Sequence, residues 1–355
     1  MNKKRELHYI DIAKGIAIFL VVLGHVYMTE DTCNRWIYSF HVPVFFIITG
    51  MLMEHSNGWK KKKLTENILI EAKRLLYPYA VFCILAYAYI VYVYFFEPGR
   101  VVYKRLYTTI FDILILEGTS ALWFLPAMFY AKIIHIITYR SRIFNIIMAV
   151  MAAAVTYIIS VYIKTVDTSQ MISAYKVKVI IVAGHSLCGF TFLVIGRYLY
   201  YFFEKVYAEL NYIIKFMAVI VLIFANMMMQ QKSGMVDVHM CVFPDFIRFY
   251  IGAVTGSMAL LSACNMIGRL RIAEYYGRDS LIVMATHKPL PVLYYSIKLF
   301  NYTQNQLKDY IIGIEYRSVT GRIIIAIITM LLEVLCIEII NRWLTLLVRY
   351  PKRKK

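Results

Sequence analysis

The stretch Asp11-Ile12-Ala13-Lys14-Gly15-Ile16-Ala17-Ile18-Phe19-Leu20-Val21-Val22-Leu23-Gly24-His25-Val26 decides how the rest of the chain reads. It forms most of an apolar segment near 12–28, within the roughly 17–25 residues that a helix needs to cross a bilayer. A basic leader, Met1–Asp11, precedes it. A cleaved signal peptide is the rival reading. No small-x-small site follows Leu23 and more apolar runs come soon after, so the segment reads as a retained first span.

Nine further apolar segments follow, near 36–53, 75–96, 121–138, 143–163, 177–200, 212–229, 243–263, 280–300 and 323–347. In hydrocarbon the backbone must bond to itself, so helices are expected. A β-barrel would show short alternating strands instead. The expected fold is therefore all-α and polytopic, with about ten transmembrane helices forming one integral-membrane domain over 1–355. The composition agrees. Of 355 residues, 61% are hydrophobic and 17% charged, against about 45–50% and about 25% in soluble domains. These values exclude an ordinary soluble enzyme, a disordered chain and a disulfide scaffold. No GxxxxGK[ST] or GxGxxG occurs, so no ATP-driven or dinucleotide device is built in. The six cysteines include no CxxC pair, and no metal site is expected.

The net charge of +18 has two readings, nucleic acid or membrane orientation. Position separates them. With the N-terminus in the cytoplasm, about 20 Lys and Arg fall on the inner side and about 11 on the outer, as the positive-inside rule asks. Lys60–Lys63 with Lys73 and Arg74, and the tail Arg349 and Lys352–Lys355, are the clearest inner blocks. An even helix count then puts both termini in the cytoplasm. The 30 Tyr and 21 Phe cluster near predicted helix ends, as aromatic belts do. Nucleic acid is not an expected partner; the lipid bilayer is.

Ionisable residues within spans are costly and point to function. Lys14 and His25 are eleven residues apart, which leaves them about 20° from alignment on one helix face and about 16 Å apart along its axis. Asp11 lies one turn before Lys14 and can pair with it. Histidine is the side chain most easily tuned to take a proton near neutral pH. The bland reading is a buried His25 bonded to a carbonyl, with Lys14 snorkelling. His41 lies in Tyr38-Ser39-Phe40-His41-Val42-Pro43, near the expected outer surface. Glu71-Ala72-Lys73-Arg74 flanks the third span, and Arg offers a forked donor suited to phosphate. Trp123 opens the fourth span. Asp279 and Ser280 precede the ninth, which carries His287. Gly184-His185, Arg197 and Arg248 are weaker candidates.

Together these motifs resemble the acyltransferase-3 family of bacterial membrane O-acyltransferases. The resemblance is strongest over Tyr9–Met53, in Asp11-Ile12-Ala13-Lys14-Gly15, His25 and Phe40-His41-Val42-Pro43-Val44-Phe45-Phe46 with Gly50. Lys73-Arg74-Leu75-Leu76-Tyr77-Pro78, Leu122-Trp123-Phe124-Leu125 and Gly277-Arg278-Asp279-Ser280-Leu281 with His287 follow in the family's order. The nearest flavour is the fucose 4-O-acetylase type of sugar O-acetylase. The resemblance implies acetyl transfer, at the bacterial cytoplasmic membrane, from cytoplasmic acetyl-CoA to a hydroxyl of a carbohydrate acceptor. That acceptor would be a surface glycan or its lipid-linked precursor. It implies His25 as general base or acetyl relay, within a catalytic set that includes Asp11 and His41. Lys14, Lys73 and Arg74 would hold the CoA phosphates. Trp123, His287 and Ser280 would serve the acceptor. One position departs: the family often has two arginines three apart before the third span, and here Glu71 stands three before Arg74. The rival from another class is a proton-coupled transporter or flippase of a glycan-related substrate, although no internal repeat is visible.

Overall fold

The computed structural model describes residues 7–231, 234–307 and 314–343. The basic leader up to Glu6 and the tail Arg349 and Lys352–Lys355 lie outside the described residues. The chain is an all-α polytopic membrane protein. Its helices are α1 His8–Val26, α2 Thr32–Phe40, α3 Pro43–Ser56, α4 Leu64–Glu71, α5 Tyr77–Phe96, α6 Tyr103–Leu114, α7 Phe124–Thr138 and α8 Arg142–Thr165. After them come α9 Met171–Lys205, α10 Tyr212–Gln231, α11 Phe246–Ile267, α12 Arg271–Arg278, α13 Ser280–Thr286, α14 Val292–Leu307 and α15 Val319–Trp343. Among the described residues the only β-pairing is an isolated bridge between Asp237 and Val242.

Helix starts follow local chemistry. Asp31 caps α2 by accepting the Asn34 N–H at 2.8 Å, and Ser141 and Asp245 do the same for α8 and α11. Pro43 begins α3, where a missing N–H costs little, and Pro78 stands in the first turn of α5, directly after the π turn at 72–76.

Among the described residues, 9 helical runs are long and apolar enough to cross a bilayer. The segment near 280–300 differs from its expected single span. It is two helices, α13 and α14, separated by His287–Pro291. Pro289 and Pro291 supply no N–H and disfavour helix in the residue before them, so the helix stops at Thr286. Irregular backbone at membrane depth is tolerated where protein or a cavity surrounds it.

Helix α1 is the hub, packed by α2, α3, α11, α12, α13 and α15. Two crossings are set by glycine. A β-carbon at Gly15 would fall 2.0 Å from the Ala273 oxygen, and one at Gly277 1.8 Å from that of Asp11. On the α3–α9 crossing, Gly50 meets Leu193 and Gly196 meets Ile47 in the same way. Small residues let membrane helices reach backbone contact, where dispersion and packing replace the missing hydrophobic drive. The outer helices show the opposite pattern. On α10, Ile213, Phe216, Ile220 and Phe224 are exposed, a surface that suits lipid rather than water.

The bundle has two ends. The near side holds the start of α1, the end of α3 and the α11–α12 turn. The far side holds the end of α1, the α2–α3 junction and the α13–α14 break.

Candidate active site

The last turn of α1 brings His25 to the end of α13, where His287 is fully buried. His287 Nδ1 lies 2.7 Å from the Val283 carbonyl oxygen. A carbonyl only accepts, so Nδ1 carries the hydrogen. With both rings neutral, His287 Nε2 is then an acceptor, and His25 Nδ1 donates to it at 2.8 Å. The two ring planes are 6° apart. The remaining nitrogen, His25 Nε2, keeps a lone pair. The chain of bonds fixes the tautomer, and the half-buried His25 ring opens on a cavity.

The cavity is about 410 Å³ and lies on the far side, between α1, the α2–α3 junction, the start of α7, the 237–240 turn and the α13–α14 break. His41 enters from the α2–α3 junction. Its Nδ1 is held 2.9 Å from the Ile37 oxygen, leaving Nε2 as an acceptor. Tyr38 stands edge-on to His41 at 4.7 Å and to His25 at 6.5 Å. Trp123 ends a 3-10 turn at 120–123 and stacks on His239 at 5.1 Å. His239 Nε2 is 2.6 Å from Glu117 Oε1. Lys178 Nζ is 2.5 Å from Asp112 Oδ1. Asp237 and Lys288 complete the polar wall. Among the described residues, no group of three or more His, Cys, Asp or Glu is arranged to hold a metal ion.

The other expected residues lie on the near side. Lys14 Nζ pairs with Asp11 at 2.8 Å. Gly277 touches the Asp11 backbone, so the Asp11–Gly15 and Gly277–Leu281 motifs meet in space. Ser280 begins α13, at the opposite end of that helix from His287 and away from the cavity. Burial pushes the neighbouring Asp279 carboxyl above its usual range, opposed by the Asn341 amide and the Arg278 charge. Lys73 and Arg74 sit in a π turn, Ala72–Leu76, where Tyr77 N–H reaches back to the Ala72 oxygen. Such bulges often mark functional sites. The departure at Glu71 has a structural answer. This buried carboxylate takes Lys132 on one oxygen and Arg74, at 3.3 Å, on the other. Both Lys73 and Arg74 remain exposed.

Arg197 and Arg248 are used within the fold. Arg197 faces the buried Glu54 at 3.5 Å and donates to Asn145 at 3.1 Å, while Arg248 pairs with its own helix cap, Asp245. His185 lies beside Trp123 at 4.8 Å. Sequence reasoning passes over Glu117, Lys178, Asp237, His239 and Lys288. Most of these lie in turns or helix ends, where a polar residue carries no signal. It also passes over Lys132 and the fully buried Glu333, which is bonded to Thr286 at 2.5 Å. Both of these stand in apolar runs and were readable there.

Nodulation protein NolL of Mesorhizobium japonicum is 32% identical over 169 residues, a match covering 44% of this chain and 42% of NolL. The match thus spans less than half of either protein. No solved structure matches the chain at a significant level. The family model described as the acyltransferase domain matches residues 7–338, so this membrane chain, with its paired histidines beside a cavity, belongs to the acyltransferase-3 family.

Proposed function

We propose that the protein transfers an acetyl group from acetyl-CoA on the near side to a hydroxyl of a carbohydrate acceptor in the far-side cavity. The near side is taken as cytoplasmic, since Lys60–Lys63, Lys73 and Arg74 gather there, and the membrane as the bacterial cytoplasmic membrane. The His25–His287 pair carries the reading. It leaves one imidazole nitrogen free to accept a proton, within a walled cavity, on a helix whose other end carries Lys14.

The chemistry balances on that pair. His25 Nε2 takes the proton of the acceptor hydroxyl as its oxygen bonds to the thioester carbon. The carbon–sulfur bond breaks, and the imidazolium returns the proton to the leaving thiolate. During proton uptake, charge forms on His25, and His287 holds its ring through Nδ1–H. Lys14, Lys73 and Arg74 supply cations for the CoA phosphates. His41, Trp123 and His239 give the acceptor side a polar and aromatic wall, suited to sugar hydroxyls and ring faces.

Membranes containing the protein, incubated with acetyl-labelled CoA, test this. The expected result is labelled carbohydrate that disappears with His25→Ala, alongside saturable acetyl-CoA binding that weakens with Arg74→Ala. Full transfer by His25→Ala would remove the residue from the mechanism. Absence of acetyl-CoA binding would favour a transporter.

A further inference from the structure

The cavity is layered. Four of its apolar lining side chains lie on the near side of polar or aromatic ones. Val21 is four residues before His25 on α1, and Met284 on α13 is four before Lys288 in the break that follows it. Phe45 on α3, which runs toward the near side, is four after His41 at the α2–α3 junction, and Phe124 follows Trp123 at the start of α7. Residues four apart on a helix share a face one turn apart. The cavity therefore has a mixed upper layer, where these polar groups stand among Met28, Val238 and Met240, and a floor beneath it near His25 that is apolar throughout. The floor is tight. Val21, Phe45 and Met284 are 5%, 6% and 5% exposed, and the Phe45 and Phe124 rings meet edge to face at 5.9 Å.

We infer that Val21, Phe45, Phe124 and Met284 set the length of the acyl group the protein transfers and restrict it to a short chain. This rests on the reading that a near-side acyl-CoA donates toward His25. On that reading, a thioester arriving from the near side meets this layer where its carbon comes to His25. Its acyl tail then needs apolar contact next to the ring. The upper wall mixes Met28, Val238 and Met240 with Lys288, Asp237 and His239, whereas the four floor residues form a layer that is apolar throughout, and the tail is assigned to that layer. A close-packed layer accepts a methyl group far more readily than a longer chain. In such a pocket a single methylene already changes rates by about 10–200-fold.

The test uses membranes carrying the endogenous acceptor and three donors: acetyl-, butyryl- and hexanoyl-CoA, each labelled in the acyl group. Wild type is expected to favour acetyl over hexanoyl by at least about 100-fold in kcat/KM. Met284→Ala should shrink that ratio by about tenfold or more, through gained butyryl and hexanoyl transfer. Val21→Ala is a smaller trim that guards against misfolding of the first variant, and should shift the ratio the same way. Met284→Leu, which keeps the volume, should keep the wild-type ratio. Equal use of all three donors by wild type would overturn the inference. So would trimmed variants that lower all three by one common factor. If wild type transfers no acyl group from any CoA thioester, the proposed function itself fails, and the inference falls with it.

Discussion

Gly277 lies so close to Asp11 that a β-carbon on it would sit 1.8 Å from the Asp11 carbonyl oxygen. Backbone rests on backbone there, so no side-chain movement can relieve the clash. Gly277→Ala should therefore force α12 away from α1. Overpacking of this kind costs typically about 1–3 kcal/mol. Thermal unfolding of detergent-purified protein should show a lowered midpoint for Gly277→Ala and for Gly15→Ala. Gly58→Ala, at an open position, is the control, and an equal loss there would disprove the packing argument.

His287 holds His25 by accepting its Nδ1–H at 2.8 Å. His287→Phe removes that acceptor and frees the His25 ring to rotate and change tautomer. We expect kcat to fall by about 10²-fold or more, with the KM for acetyl-CoA little changed. His287→Gln, whose amide oxygen can accept the same hydrogen, should recover part of the loss. A change confined to KM would place His287 in binding instead.

Glu71 is shared between Lys132 and Arg74. Lys132→Met should leave the carboxylate to Arg74 alone and draw that guanidinium away from an anionic donor. Glu71→Gln should release it. The expected effect is a rise in acetyl-CoA KM of about 2–5-fold for the first and a fall of similar size for the second, the scale of partly exposed ion pairs. Both effects should shrink with added salt. Steady-state kinetics at two ionic strengths would decide it, and opposite signs would reject the grip at Arg74.

Arg322 is 2% exposed and holds Asp31 at 2.6 Å and Asn34 at 3.2 Å. Asp31 is partly open to solvent, so the two partners are unequal. Asp31→Asn keeps the α2 cap but leaves a buried guanidinium without its counter-charge, at about 3–5 kcal/mol. Arg322→Met leaves a carboxylate that water can reach and should cost less. Unfolding midpoints should rank wild type, then Arg322→Met, then Asp31→Asn.

The spans were legible because hydrocarbon demands long apolar helices, and Lys14 and His25 stood out because charge inside such a run is rare. Their partners were less so. Gly15 and Gly277 are 262 positions apart, and nothing local to either says that they touch the same crossing. The break after Thr286 was written in Pro289 and Pro291, yet the apolar content around them reads as one span. His239 and Glu117 sit in irregular segments between helices, where hydropathy is silent. Only the folded chain brings them to Trp123.

The ends of α1 and α13 point at the same pair of rings. Each helix finishes beside them at its C-terminus, the negative pole of its dipole, and the Val283 carbonyl of α13 accepts from His287 Nδ1. A proton taken up at His25 therefore arrives where a helix end favours positive charge by about 0.3–1 kcal/mol. In a layer with few other counter-charges, the backbone itself helps stabilise the transient cation, with no carboxylate bonded to either ring among the described residues.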